Sequence, residues 1–219
     1  RWYLAAKVWG GSWFFDMNVV IIDYGMGNIK SIVGALKYLG INKIKVSNNP
    51  KDITDADKLI LPGVGAFPMA IRNMKTLNLD KYLQYEVFEK KKPVLGICLG
   101  MQLMGKSSTE GDLSSGLGFI DSKVEVFSNE SNKVPHVGFN QVKINKNSIL
   151  FDGLQNLSDF YFVHSYQMTS EVDISQSLCE YGDNFIASYE VDNIAGVQFH
   201  PELSQTNGLK LIKNFLDKF

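Results

Sequence analysis

The rhythm of apolar positions changes halfway along the chain. In the first half, short unbroken apolar runs alternate with helical spacing. Asn18–Asp23 (Asn-Val-Val-Ile-Ile-Asp) is a β-branched run of the kind that fills a strand buried on both faces. The glycine-rich turn Tyr24–Asn28 follows. Ile29, Ile32, Val33, Leu36 and Leu39 then recur at helical spacing until Gly40 stops the helix. Ile44–Ser47 and Lys58–Leu61 read as further strands, the second ending at Pro62-Gly63. The pattern predicts a helix over about Met69–Lys90, a buried strand over Pro93–Ile97 and a helix from Leu99 to Lys106. Strands and helices alternating at this spacing imply βαβ units and a parallel sheet.

The second half reads differently. Val124–Phe127, Gln141–Ile144, Phe160–His164, Ile186–Glu190 and Ile194–Phe199 are strand-like runs separated by turn residues, with few helical stretches between them. This predicts an antiparallel or mixed extension of the same sheet. Gly208–Phe219 closes the chain as an amphipathic helix, with Leu209, Ile212, Phe215 and Leu216 on one face. No repeat, low-complexity tract or linker divides the chain, so a single α/β domain is expected.

Composition narrows the class. The 219 residues suffice for one domain with a sizeable core. A net charge of -1 gives no electrostatic pull toward nucleic acid or an anionic membrane. Two cysteines, Cys98 and Cys179, suggest no disulfide framework, and no Cys/His cluster has the spacing of a structural metal site. A reducing, cytoplasmic setting fits. All three tryptophans, Trp2, Trp9 and Trp13, precede Met17, where the first strand signal begins. Arg1–Asp16 is therefore read as an extension outside the fold, and residues 17–219 as the domain. Lys7 is not followed by the clean apolar core of a signal peptide, and the stretch is too short to span a bilayer.

Gly96-Ile97-Cys98-Leu99-Gly100 follows a buried strand and opens a helix, a nucleophile-elbow pattern with Cys in place of Ser. Glycine permits the sharp turn, the helix start favours a thiolate, and the Leu99 amide is placed for an oxyanion. On the pentapeptide alone, a buried structural cysteine is an equally good reading. A nucleophile needs a base, and only three histidines are available. His200, in Val197-Gln198-Phe199-His200-Pro201-Glu202, is read as ending a strand, with Glu202 placed to accept its second N–H. His164, in Tyr161-Phe162-Val163-His164-Ser165-Tyr166, reads as a substrate ligand or a polar strand terminus. His136, in Val134–Asn140, is equally ambiguous. Cys179 has no elbow and no neighbouring His and reads as inert packing, while Lys90–Lys92 reads as a solvated helix end.

Leu61–Phe67 (Leu-Pro-Gly-Val-Gly-Ala-Phe) is a glycine-rich loop whose amides can complete an oxyanion hole, or a simple turn. Asp23–Asn28 is not a dinucleotide loop. Lys30 fills the place of the third glycine, and no convincing acidic partner follows the second strand, so no cofactor is expected there.

Taken together, Gly96–Gly100 with Met101-Gln102 and His200-Pro201-Glu202 resemble the class I (triad) glutamine amidotransferases. Asp23–Asn28, Pro62–Phe67, Val134–Asn140 and Tyr161–Tyr166 resemble, more narrowly, the glutaminase subunits of imidazole glycerol phosphate synthase. The resemblance runs from about Met17 to the C-terminus. It implies a flavodoxin-like fold and a catalytic triad of Cys98, His200 and Glu202, with no cofactor and no metal. It implies an oxyanion hole at Gly63, Val64, Gly65 and Leu99, and glutamine binding by Gly65, Gln102, His164, Ser165 and Tyr166. It also implies a heterodimer with a (β/α)₈ cyclase of histidine biosynthesis, which consumes the ammonia. Asn28, Phe139, Tyr161 and Leu203 fall at the partner interface and ammonia gate.

Two positions depart from that pattern. Histidine-pathway members usually carry a basic residue after His-Pro-Glu, where this chain has Leu203, and Trp where it has Phe139. A paralogous group feeds ammonia to enzymes that build amidino sugars for surface polysaccharides, and this is the alternative acceptor. A catalytically silent scaffold would have lost part of the triad. A hydrolase using the elbow alone would place its acid well before the histidine.

Overall fold

The computed structural model describes residues 16–127 and 133–219. The proposed extension, Trp2, Trp9 and Trp13 included, thus lies almost wholly outside the described residues. The strands are β1 (Asn18–Ile22), β2 (Lys43–Ser47), β3 (Lys58–Leu61), β4 (Val94–Ile97), β5 (Ser107–Ser108), β6 (Ser114–Ser115), β7 (Lys123–Val126), β8 (His136–Lys143), β9 (Ser158–His164), β10 (Tyr166–Thr169), β11 (Ser177–Tyr181), β12 (Asp183–Val191) and β13 (Ile194–Val197). The α-helices are α1 (Ile29–Tyr38), α2 (Pro50–Thr54), α3 (Phe67–Thr76), α4 (Leu79–Gln84), α5 (Leu99–Leu103) and α6 (Gln205–Lys218).

Among the described residues, nine strands form one sheet in the order β2-β1-β3-β4-β13-β12-β11-β8-β9. The pairs from β2 to β13 are parallel. Those from β13 to β9 are antiparallel. The change of pairing follows the burial pattern. Every residue of β3, β4 and β13 is buried, as a strand covered on both faces requires, whereas β9 alternates buried and partly open positions. A second, smaller sheet has the order β10-β7-β5-β6.

Alternation along β1 supplies two cores. Val19 and Ile21 join Leu36 of α1 and Leu211, Ile212 and Phe215 of α6 on one face. Val20 and Ile22 join Phe67, Ala70 and Met74 of α3 on the other. Helices on both faces of a mainly parallel sheet are the doubly wound arrangement expected from the sequence.

Several boundaries differ from the sequence reading. The helix expected over Met69–Lys90 is broken. Asn78 adopts a left-handed φ of 54° between α3 and α4, and Tyr85–Glu89 forms a π-helical turn. The helix after the elbow ends at Leu103 rather than Lys106. The strand thought to carry His200 stops at Val197, so His200 lies in the bend leading to a 3₁₀ turn, Pro201–Leu203. Cys179 sits on β11, a strand the periodicity did not reveal.

Candidate active site

The site lies beyond the carboxyl ends of β3, β4 and β13, where open α/β sheets characteristically bind ligands. Cys98 is the first residue past β4, with φ 54° and ψ -112°. That backbone is strained for a residue with a Cβ, at a cost of about 1–3 kcal/mol. The surroundings enforce it. The Cys98 N–H donates to the Val197 carbonyl at 2.8 Å. Gly100 leaves no room for relaxation, because a Cβ there would stand 1.8 Å from the Leu61 carbonyl oxygen. At Gly96 a Cβ would meet the Met101 backbone at 2.8 Å. The two glycines of the pentapeptide are thus what allow α5 to pack against its own strand and the β3 loop. Cys98 is 5% exposed, and its sulfur lies 3.8 Å from the Val163 carbonyl oxygen.

His200 and Glu202 meet as the sequence suggested. His200 Nδ1 lies 2.8 Å from Glu202 Oε1, with side-chain exposures of 4% and 0%. A carboxylate only accepts, so Nδ1 carries the proton. Nε2 is left buried without a well-formed hydrogen bond, the arrangement of a ring held ready for a proton transfer. Burial alone would lower the imidazole pKa. Interactions with Cys98 and Glu202 outweigh burial and push it up to about 10. His200 is therefore held in its charged form between Glu202 and the Cys98 sulfur. The ring is braced from behind. The His200 N–H donates to the Tyr161 carbonyl at 2.8 Å. Ser204 Oγ donates to the His200 carbonyl at 2.6 Å and accepts from the Tyr161 N–H at 2.9 Å.

The glycine-rich loop closes over the elbow. A Cβ on Gly63 would stand 2.7 Å from Leu99 Cβ and 2.9 Å from the Gly100 nitrogen. Gly63 is buried, while Val64 and Gly65 are exposed beside it, Gly65 with φ 117°. Leu99 occupies the first position of α5, where an N–H has no partner within its helix. The hydroxyl of buried Tyr24 donates to the Pro62 carbonyl at 2.6 Å and fixes the loop from below. Burial, then the nearby Cys98, hold this phenol well above its usual pKa.

The remaining candidates belong to one polar chain. Gln102 is 5% exposed and donates from Nε2 to the Tyr166 carbonyl at 3.1 Å and to Gln198 Oε1 at 2.8 Å. His164 Nδ1 lies 2.8 Å from the same carbonyl, which fixes the proton on Nδ1. Its Nε2 must then accept from His136 Nδ1, 3.0 Å away. His136 is stacked on Tyr181 at 4.0 Å and on Phe162 at 4.9 Å. Burial pushes His164 down to about 3 and His136 to about 4, so both are neutral at pH 7. The rings of His164 and His136 are therefore spent on internal bonds. Ser165, between β9 and β10, and Tyr166, the first residue of β10, are half-buried beside them.

Of the expected interface residues, Phe139 and Leu203 are 51% and 39% exposed. Phe139 pairs with Tyr161 across β8 and β9, ring centroids 5.5 Å apart, and borders a 350 Å³ groove with Asp159 and Ser204–Asn207. Asn28 stands at the N-cap position of α1 without a side-chain bond to the helix amides, accepting instead from Ser31 Oγ at 3.2 Å, and α1 packs on the turn that carries Glu202 and Leu203. Cys179, by contrast, is 1% exposed, and burial, then Glu180, push its thiol up to about 12. No cluster of three His, Cys, Asp or Glu suited to a metal occurs among the described residues. No helix among them is long and apolar enough to cross a membrane. Sequence reasoning missed Gln198 and Ser204. A glutamine inside the apolar run Val197–Phe199 was the available signal for the first.

The class-I glutamine amidotransferase family matches residues 20–219. A Vibrio vulnificus protein called imidazole glycerol phosphate synthase subunit HisH 2 is 49% identical over 92% of this chain and 94% of its own. A Campylobacter jejuni protein called subunit HisH 1 of that synthase is 44% identical over 90% of this chain and 98% of its own. Among solved structures, PurLQS from Thermotoga maritima superposes with a TM-score of 0.67 at 17% identity, over 91% of this chain and 97% of that one, a likeness of fold. The elbow, the His200–Glu202 pair and these likenesses agree, and the chain belongs to the class-I glutamine amidotransferases and, within them, to the family of imidazole glycerol phosphate synthase HisH subunits.

Proposed function

We propose that this chain is the glutaminase subunit of imidazole glycerol phosphate synthase, with Cys98, His200 and Glu202 as its triad. The observation that carries the reading is the 2.8 Å His200–Glu202 contact beside a cysteine held in elbow geometry. The Cys98 thiolate attacks the side-chain amide carbon of glutamine. Charge develops on the carbonyl oxygen, where the Leu99 N–H and the Gly63–Gly65 loop receive it. His200 gives its Nε2 proton to the amide nitrogen, the C–N bond breaks, and ammonia leaves behind a γ-glutamyl thioester. Neutral His200 then takes a proton from water, the hydroxide attacks the thioester, and collapse returns the thiolate and releases glutamate. Glu202 stabilises the imidazolium throughout. Gly65, Gln102 and the backbone at His164, Ser165 and Tyr166 hold the amino-acid end of glutamine.

The partner in this reading is a (β/α)₈ cyclase seated over Asn28, Phe139, Tyr161 and Leu203, which receives the ammonia without release to solvent. The chain purified with that cyclase should hydrolyse glutamine, and Cys98→Ala should abolish turnover. Unchanged turnover in that variant would overturn the assignment. A second reading keeps the chemistry and changes the acceptor to a sugar amidotransferase of surface-polysaccharide synthesis. Exposed Phe139 and Leu203, which depart from the histidine-pathway pattern, favour it. Rescue of a histidine auxotroph supports the first acceptor. Failure to rescue, with recovery of a sugar amidotransferase partner, supports the second.

A further inference from the structure

Gln198 is wholly buried, 0% exposed, between Val197 and Phe199 of the core. A primary amide in that position must spend its donors and acceptor on specific partners. Its Nε2 lies 3.7 Å from the Cys98 sulfur, within range for an N–H···S bond, and its Oε1 accepts from Gln102 Nε2 at 2.8 Å. Neither amide is free to turn over. Gln102 must present its NH₂ to the Tyr166 carbonyl at 3.1 Å, because a carbonyl has nothing to donate. The same NH₂ therefore requires an oxygen on Gln198, which aims the Gln198 NH₂ at sulfur. Besides His200, the sulfur also faces the Val163 carbonyl at 3.8 Å, which can accept from a thiol but repels a thiolate. Gln198 supplies the opposite preference.

We propose that Gln198 is a positioning residue for the glutaminase step, its amide N–H holding the Cys98 sulfur in place and favouring the anionic form, with its orientation dictated by the Tyr166 carbonyl through Gln102. The inference rests on Cys98 being the nucleophile, which Cys98→Ala decides separately. The titratable groups around the sulfur are His200 and, behind it, Glu202, with Tyr24 beneath the elbow and His164 coupled to His200.

Gln198→Glu keeps the shape and replaces the donor with an oxygen. The test is the pH dependence of Cys98 alkylation by iodoacetamide in the full chain, followed by peptide mapping. The half-point should move to higher pH by about one unit, with kcat for glutamine falling at least about tenfold in the partnered enzyme while KM changes little. A folded variant whose alkylation profile overlays the wild type overturns the proposal, even while Cys98→Ala still abolishes turnover. A second measurement needs no change at Gln198. The Gln198 side-chain amide resonance of the wild-type chain should shift with pH at the midpoint of Cys98 alkylation and lose that dependence in Cys98→Ala. A flat response in the wild type overturns the proposal independently.

Discussion

His200 and His164 are both almost wholly enclosed, yet the protein treats them in opposite ways. His200 sits beyond the parallel strands, where Cys98 and Glu202 on either side of the ring outweigh burial and favour the charged form. His164 and His136 sit on the antiparallel wing, among aromatic rings and acceptors that need only one proton each, and burial keeps both neutral. The two cysteines divide in the same way. Cys98 stands on a strained turn among polar groups, whereas Cys179 faces the core of β11 with a raised pKa. Residue type alone therefore does not fix a side chain's setting in this chain. The partners placed within hydrogen-bonding distance do.

The largest effect should come from exchanging the two cysteines' fates. Cys98→Ala should lower glutamine turnover by at least about 10³-fold, as loss of a nucleophile does elsewhere. Cys179→Ala should leave turnover within about twofold and cost about 1 kcal/mol of stability for the vacated volume. Steady-state kinetics of the partnered enzyme and denaturant unfolding read both outcomes. Equal losses of activity would erase the contrast.

Next in size is Glu202→Gln. The amide can still accept from His200 Nδ1, but the charge that holds the imidazolium is gone. Turnover should drop by about 10²–10⁴-fold, with the acidic limb of its pH profile moved. A kcat within a factor of two of wild type would show that the pairing is merely structural.

Acid should distinguish the histidine regions through stability. The unfolded chain takes up a proton on each histidine near pH 6.5, whereas folded His136 and His164 do so only near 4 and 3. Between those values the unfolded state holds more protons, so stability falls as pH falls from 6.5. At about 1.4 kcal/mol per unit per residue, the loss by pH 5 should be on the order of 2–4 kcal/mol. His200, raised to about 10, is protonated in both states below 6.5. Its contribution is fully present there and disappears as pH rises from 6.5 through 10. Denaturant midpoints across pH 5–9 should therefore decline on both sides of about 6.5, and a flat acid side would contradict the buried-neutral assignment.

The sequence carried the parallel half well because its signals are local. Unbroken apolar runs mark β1, β3, β4 and β13, and glycine spacing marks the elbow. The break at Asn78 was not legible, because apolar periodicity continues across it and a left-handed residue leaves the pattern intact. On the antiparallel wing, β8 is eight residues long, but its first residues alternate with exposed or half-buried positions, and the run looked shorter than it is. The His200–Glu202 contact was legible because His-Pro-Glu compresses both residues into a three-residue stretch. Gln198, Ser204 and the tautomers of His136 and His164 depend on contacts between residues far apart in the chain, such as the 96-residue separation of Gln102 and Gln198. No spacing rule reports those.

In the proposed mechanism the fold makes Cys98, one of two buried cysteines, the nucleophile toward glutamine. The most direct test treats the partnered wild-type chain with an alkylating glutamine analogue and maps the adduct by mass spectrometry. One adduct is expected, on Cys98, formed in step with loss of turnover, slowed by excess glutamine and much slower in Glu202→Gln. An adduct on Cys179, or full loss of turnover with Cys98 unmodified, would contradict it.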